Sequence, residues 1–408
     1  MEFKQTQLSN GLQVVGEINP SAASLAAGFF VRTGSRDETP EISGVSHFLE
    51  HMVFKGTDKR SPFDVNRDFD TMGARYNAFT SEESTVFYGA VVPEFQSPLI
   101  DLLGDILRPS LRGEDFDMEK NVILDEIARY EDQPQFKVYE KLMGQFFRGH
   151  PLGNNVLGSP ESIRALKRDD MQAYFDRRYS AGNVVVAATG NIDFDLLVAD
   201  VEKACRRWKH FEVTRDTPPV RGNTDQTVIA DAKMVHENIA LMSAAPSSQD
   251  DDRYAAQLLA AIIGDSTGSR LYYALIDPAI ADQASMSFDG MDQAGAFITF
   301  VSARPDRATE ALAITRGVLA DFCKSGPSEA ELEAAKNKIA SGSTLKGEVP
   351  MGRLTSVGLG WVYRHEYVPL PEQIERLFQV STQEVAELAR LYDLSAASVL
   401  ALGPRESL

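Results

Sequence analysis

The sequence predicts an α+β chain of two homologous domains. Segments in which apolar residues alternate, as half-buried strands require, are followed by segments with helical periodicity. The second half partly replays the first, as a duplicated unit would. Between the halves runs Val213-Thr-Arg-Asp-Thr-Pro-Pro-Val-Arg-Gly-Asn-Thr224, polar and rich in turn formers, which reads as a linker. The expected domains are 1–212 and 225–408, joined by 213–224.

Taken in order, residues 12–18, 24–33, 74–80 and 84–92 alternate as strands. Residues 94–107, 114–131 and 135–147 carry apolar residues at helical spacing. A short buried strand is expected over 184–189, ending in Gly190, and a helix over 194–208. In the second half a strand at 298–305 leads into a helix at 306–322, as 87–93 leads into 94–107. Glu119-Lys-Asn-Val-Ile123 then lies over Ala335-Lys-Asn-Lys-Ile339.

Composition narrows the function classes. The 408 residues are 43% hydrophobic, 25% charged and 9% aromatic, which excludes disorder, collagen-like repeats and coiled coil. Forty-one basic against 59 acidic residues leave a net charge of −18, which repels phosphate backbones and argues against a nucleic-acid partner. Cys205 and Cys323 are too few for a disulfide framework or a four-thiolate metal site, and buried reduced thiols are expected. The first ten residues lack a signal-peptide core or the character of a mitochondrial presequence. The longest apolar run, residues 25–31, is far too short to span a bilayer. A soluble cytoplasmic protein with no membrane contact is the expectation.

The chemistry concentrates in Ser46-His47-Phe48-Leu49-Glu50-His51-Met52. On a helix, residues four apart project from one face about one turn apart. The imidazoles of His47 and His51 can therefore reach one metal at roughly 2.0–2.1 Å. Glu50 sits beside them, placed to touch a water on the metal rather than the metal. Ser43 is a reasonable N-cap, so the helix is expected over roughly 44–54. Its other residues are apolar, and burying two imidazoles and a carboxylate without partners costs several kcal/mol. A bound metal removes that cost. A hydrolytic zinc site needs a third protein ligand and an open position. Glu119 and Glu126, two turns apart on one helix face beside Val122, Ile123 and Ile127, are the candidates. Taken alone, the same pair also reads as a solvated acidic stripe.

His47-Phe-Leu-Glu50-His51, followed by a Glu-x6-Glu pair ending 75 residues on at Glu126, resembles the inverted zincins. These are the pitrilysin, insulysin and mitochondrial processing peptidase group, and the length fits their short bacterial branch. The likeness extends to Gly34-Ser-Arg36, Phe54-Lys-Gly-Thr57, Met72-Gly-Ala-Arg-Tyr-Asn77-Ala78-Phe-Thr80, Glu131-Asp-Gln-Pro134, His150-Pro151 and Gly268-Ser-Arg270-Leu271. The resemblance implies His47, His51 and Glu126 as ligands of one zinc ion per chain. It implies Glu50 as general base and Glu119 as the carboxylate that orients a ligand imidazole. Asn77, Ala78, Phe79 and Thr80 become an edge strand that pairs with an extended peptide. The implied fold is two domains, each a mainly antiparallel sheet packed with helices, forming half of a clam-shell. A second chain, identical or related, closes the chamber, and the implied activity is endopeptidase cleavage of peptides or unfolded polypeptides.

Two departures accompany the likeness. The repeat sets Ala335 and Gly342 where Glu119 and Glu126 stand, and the second half has no His-x-x-Glu-His sequence, as in the family's inert domain. Active relatives resemble one another in an Arg and, seven residues later, a Tyr in that domain; here the matching positions hold Ile276 and Gln283. Neither residue can replace those groups. The alternative reading is a non-catalytic or partner-dependent subunit of a peptidase heterodimer.

Overall fold

The computed structural model describes residues 1–220 and 222–408. Its elements, in chain order, are β1 (Glu2–Gln7), β2 (Gln13–Ile18), β3 (Leu25–Val31), α1 (Val45–Val53), α2 (Pro62–Thr71), β4 (Arg75–Thr80), β5 (Thr85–Val91) and α3 (Gln96–Ile106). Then come α4 (Gly113–Glu131), α5 (Pro134–Phe146), α6 (Pro160–Ala165), α7 (Arg168–Arg178), β6 (Val184–Gly190) and α8 (Phe194–Cys205). The remaining elements are β7 (Gln226–Ala230), β8 (Glu237–Ala244), α9 (Arg253–Gly264), β9 (Gln283–Met291), β10 (Ala294–Ala303) and α10 (Ala308–Ser325). Last are α11 (Glu329–Gly347), α12 (Pro350–Arg364), α13 (Leu370–Gln379), α14 (Thr382–Leu391) and β11 (Ser398–Gly403).

One compact unit holds Met1–Ala128, Asn154–Asp216 and Thr344–Pro369. Its sheet runs β1-β2-β6-β3-β5-β4, antiparallel throughout except for the β2/β6 pair. All seven residues of β3 are buried, because helices cover both faces of the sheet. Ala26 and Phe30 pack against Leu354, Val357 and Trp361 of α12. Phe29, on the opposite face, meets the Trp208 ring. Among the described residues β4 ends the sheet and pairs only with β5.

The other unit holds Arg129–Gly153, Thr217–Ser343 and Leu370–Leu408. Its sheet runs β7-β11-β8-β10-β9, again with one parallel pair, β7/β11. Strand for strand this is the path β2-β6-β3-β5-β4 of the first sheet, the duplication that the partial repeat foretells. Ala240 and Met242 of β8 face Val138, Leu142 and Phe146 of α5, while Ile239 and Leu241 face Leu259 and Ile263 of α9. α4 and α11 are matching 19-residue helices. Glu119 and Ala335 each lie six residues in from the first residue.

The compact units do not follow the boundaries 1–212 and 225–408. Residues 129–153, with α5, belong to the second unit, and residues 344–369, with α12, belong to the first. Each of these helices lays its apolar face on the sheet it covers, and periodicity alone does not say which sheet that is. Residue 221 of the expected linker lies outside the described residues; its neighbours over 213–224 form neither helix nor strand. Cys205 is buried and Cys323 only partly so, both unpaired.

Candidate metal centre

The helix with both histidines begins one residue later than the Ser43 cap implies. The N-cap is Gly44, at φ +90°, a left-handed conformation natural only to glycine. A Cβ there would also meet the Leu157 carbonyl oxygen at 2.7 Å. The first turn is satisfied by a carboxylate that spacing does not reveal. Glu38 Oε2 accepts the Gly44 N–H and Oε1 the Ser46 N–H, each at 2.7 Å. Burial pushes the Glu38 carboxyl up to about 8, against the lowering effect of these bonds. Tyr174 Oη, 2.7 Å from Ser46 Oγ and 2.9 Å from Thr33 Oγ1, ties the same turn to the sheet.

Phe48 stacks on Phe116 of α4 with ring centroids 4.6 Å apart. That packing brings the α4 carboxylates over α1. Ile123 and Ile127 are buried beside them, whereas Val122 is exposed. Glu126 Oε2 lies 3.3 Å from His51 Nε2 and 3.8 Å from His47 Nε2. One donor atom from each of the three residues falls within 4.8 Å of the others, the only such group of three or more His, Cys, Asp or Glu among the described residues. Glu119 Oε1 sits 2.9 Å from His51 Nδ1. Its other oxygen meets Lys55 Nζ at 2.5 Å. The acidic-stripe reading therefore does not describe this helix face: Glu119 is buried and Glu126 half-buried.

Electrostatics separate the two imidazoles. Burial, helped by the neighbouring His51, pushes His47 down to about 4. Burial also disfavours charge on His51, but its bonds to Glu119 and Glu126 outweigh this and raise it to about 9. Burial raises the Glu50 carboxyl above its usual range, and a 2.6 Å hydrogen bond from Thr80 Oγ1 to Oε2 opposes the shift.

The His-His-Glu donor set suits a zinc ion with an open position. The structure supplies an independent mark of fit: His47 Nε2 points at Glu126 Oε2 from 3.8 Å, too far for a hydrogen bond, so the nitrogen that faces the centre is open to a metal. Its Nδ1 is buried without a hydrogen-bond partner among the described residues.

The remaining anticipated residues fall as follows. Asn77, Ala78, Phe79 and Thr80 lie on the edge strand β4, with Asn77 exposed and Phe79 packed toward α12. Arg36 forms a buried ion pair with Glu83. His150 Nδ1 accepts the Leu152 N–H and its Nε2 lies 3.0 Å from the Pro218 carbonyl oxygen, a structural arrangement. Ile276 and Gln283 line one cavity of about 510 Å³ in the second unit, with Gln135, Tyr139, Ile298 and Phe300. Gln283 accepts a hydrogen bond from Gln135. No described helix is long and apolar enough to cross a membrane.

Two repeated sheet-and-helix units, one carrying paired histidines and a glutamate, define a class: two-domain chains with a zinc-peptidase type of metal centre. Residues 13–160 match the insulinase family of peptidases, M16, and residues 165–339 match the M16 inactive domain. A Mycobacterium tuberculosis protein named an uncharacterized zinc protease is 30% identical over 99% of this chain and 94% of its own length. The Bacillus subtilis protein YmxG, also named a zinc protease, is 29% identical over 95% of each chain. The fold matches a protease from Helicobacter pylori with a TM-score of 0.91, at 19% identity over 98% of this chain and 99% of that one. An M16 inactive-domain structure from Pseudomonas fluorescens matches with the same score, at 18% identity over 100% and 99%. The chain belongs to the insulinase-type peptidase family M16.

Proposed function

We propose that the chain is a zinc-dependent endopeptidase that hydrolyses peptides or unfolded polypeptides, with His47, His51 and Glu126 as the ligands of one ion. The observation that carries this reading is the convergence of the three donors beside Glu50. A zinc ion held there would polarise the scissile carbonyl and acidify water. Glu50 serves as general base. Thr80 engages its Oε2, so Oε1 is the oxygen that takes a proton from the attacking water and passes it to the leaving amine. The raised pKa of Glu50 suits both transfers. Glu119 holds His51 in the orientation that presents Nε2.

Substrate in this reading lies along β4. Among the described residues its outer edge is free of strand partners, so the backbone of Asn77–Thr80 is available to pair with an extended peptide, and such pairing tolerates varied side chains. Pairing there leads a peptide toward Thr80, whose hydroxyl already touches the base. A second chain, identical or related, completes the enclosure around the substrate. The test is cleavage of a mixed fluorogenic peptide library by the purified chain, with and without a chelator. Turnover that chelation abolishes is expected. A zinc-loaded chain that cleaves nothing would instead favour the non-catalytic or partner-dependent subunit, the reading that Ile276 and Gln283 support.

A further inference from the structure

The two histidines of the centre are supported unequally. His51 Nδ1 lies 2.9 Å from Glu119 Oε1, whereas His47 Nδ1 is buried with no hydrogen-bond partner among the described residues. The Glu119 side chain is only 4% exposed, and its other oxygen forms an ion pair with Lys55 Nζ at 2.5 Å, its direction outside hydrogen-bond geometry, so the contact is one of charge. Lys55 follows His51 by four residues, so both side chains leave the same side of the chain as α1 ends. Its backbone is fixed as well: the Lys55 N–H donates to the Met52 carbonyl at 3.1 Å, and Arg112, just ahead of α4, donates to the Lys55 carbonyl. Arg112 is in turn paired with Asp115 at 2.6 Å. A half-buried ammonium is thus clamped onto a buried carboxylate whose remaining oxygen holds a candidate ligand.

We propose that Lys55 is a positioning residue for zinc, acting through Glu119 to lock the ring of His51 and so to set the affinity of the site. The proposal rests on the ligand assignment above. Without the ammonium, Glu119 loses the partner that fixes one of its oxygens, and rotation about its side chain releases His51. Groups that orient a ligand imidazole typically govern metal affinity by roughly 10–100-fold. The sign is diagnostic. Lys55 is a cation near the place of a dication, so simple charge repulsion predicts that removing it tightens zinc binding. Positioning through Glu119 predicts the opposite.

The experiment is a zinc dissociation constant for the full chain, measured by competition with a chromogenic chelator. It compares the wild type, Lys55→Met, Glu119→Gln and the double variant. Melting of the zinc-free proteins reports folding, with Lys55→Gln in reserve should Lys55→Met fail to fold. The expected result is a loss of roughly 10–100-fold in Lys55→Met, with no further loss on adding it to Glu119→Gln, since the two act as one unit. Unchanged or tighter binding in Lys55→Met overturns the proposal. An equal loss on both backgrounds overturns it too, because Lys55 then acts by another route. Failure of the ligand assignment looks different: the wild type takes up no zinc, or His51→Ala keeps it.

Discussion

Thr80 Oγ1 donates a 2.6 Å hydrogen bond to Glu50 Oε2, joining the last residue of an edge strand to the carboxylate beside two histidines. The bond orients one oxygen and leaves the other to exchange protons. Thr80→Val keeps shape and removes the donor. Turnover should fall about fivefold, the worth of about 1 kcal/mol, with KM for a reporter peptide little changed. An unaltered kcat would remove Thr80 from the catalytic arrangement.

Glu50 is held by Thr80 rather than by an ion pair to His47 or His51 among the described residues, and the role proposed for it is to move a proton. Glu50→Gln should therefore bind zinc as the wild type does and lose roughly 10²–10⁴ in rate, the range for a general base. Metal content by atomic emission and cleavage of the same peptide check the two halves. Retained turnover in a zinc-loaded variant would eliminate Glu50 as base.

Removal of a ligand should behave in the reverse order. His51→Ala and Glu126→Ala should each copurify without zinc, while the wild type carries one ion per chain, and addition of zinc should not restore cleavage. Full occupancy in either variant contradicts the ligand set.

Glu38 holds the first turn of α1 through the Gly44 and Ser46 amides. Glu38→Ala leaves two buried donors without an acceptor, at a cost of about 2 kcal/mol or more. The loss should appear as a lower urea midpoint at unchanged slope in the zinc-free protein. A midpoint equal to wild type would show that the turn does not depend on this carboxylate.

A pH effect is expected in the second unit. Burial alone would raise Glu331, but the Arg270 guanidinium at 2.7 Å and the Ser328 N–H and hydroxyl bring it down from 4.5 to about 2. A carboxyl whose folded pKa is depressed stabilises the fold above its unfolded pKa, and that contribution is lost as pH falls toward the folded value. Wild type should therefore exceed Glu331→Gln in stability above pH 4.5, and the gap should close between about 4.5 and 2. Parallel urea titrations across that window test it; a gap independent of pH contradicts the linkage.

The legible part of this protein is what a local period can encode. Alternation marks β2 to β5, and a short apolar run marks β6, to within a residue or two at each end, and the spacing of His47, Glu50 and His51 sets them on one helix face whatever surrounds them. Lys55, four residues past His51, carries the same signal of a shared face, but nothing local says that its partner is Glu119. Glu38 carries no signal at all, since a carboxylate that caps a helix through backbone amides six and eight residues on has no fixed period.

By itself the sequence determined the α1 face, the paired glutamates on α4, the family and the loss of both glutamate positions at Ala335 and Gly342. The tertiary structure decided which sheet α5 and α12 cover, that Phe48 on Phe116 brings Glu126 to the histidines, and that Thr80 reaches Glu50. The physical reason is range. Helical and strand spacing is set by backbone geometry over a few residues, whereas contacts between residues 30 or more positions apart depend on how apolar faces pack, and many sheets could accept the same face.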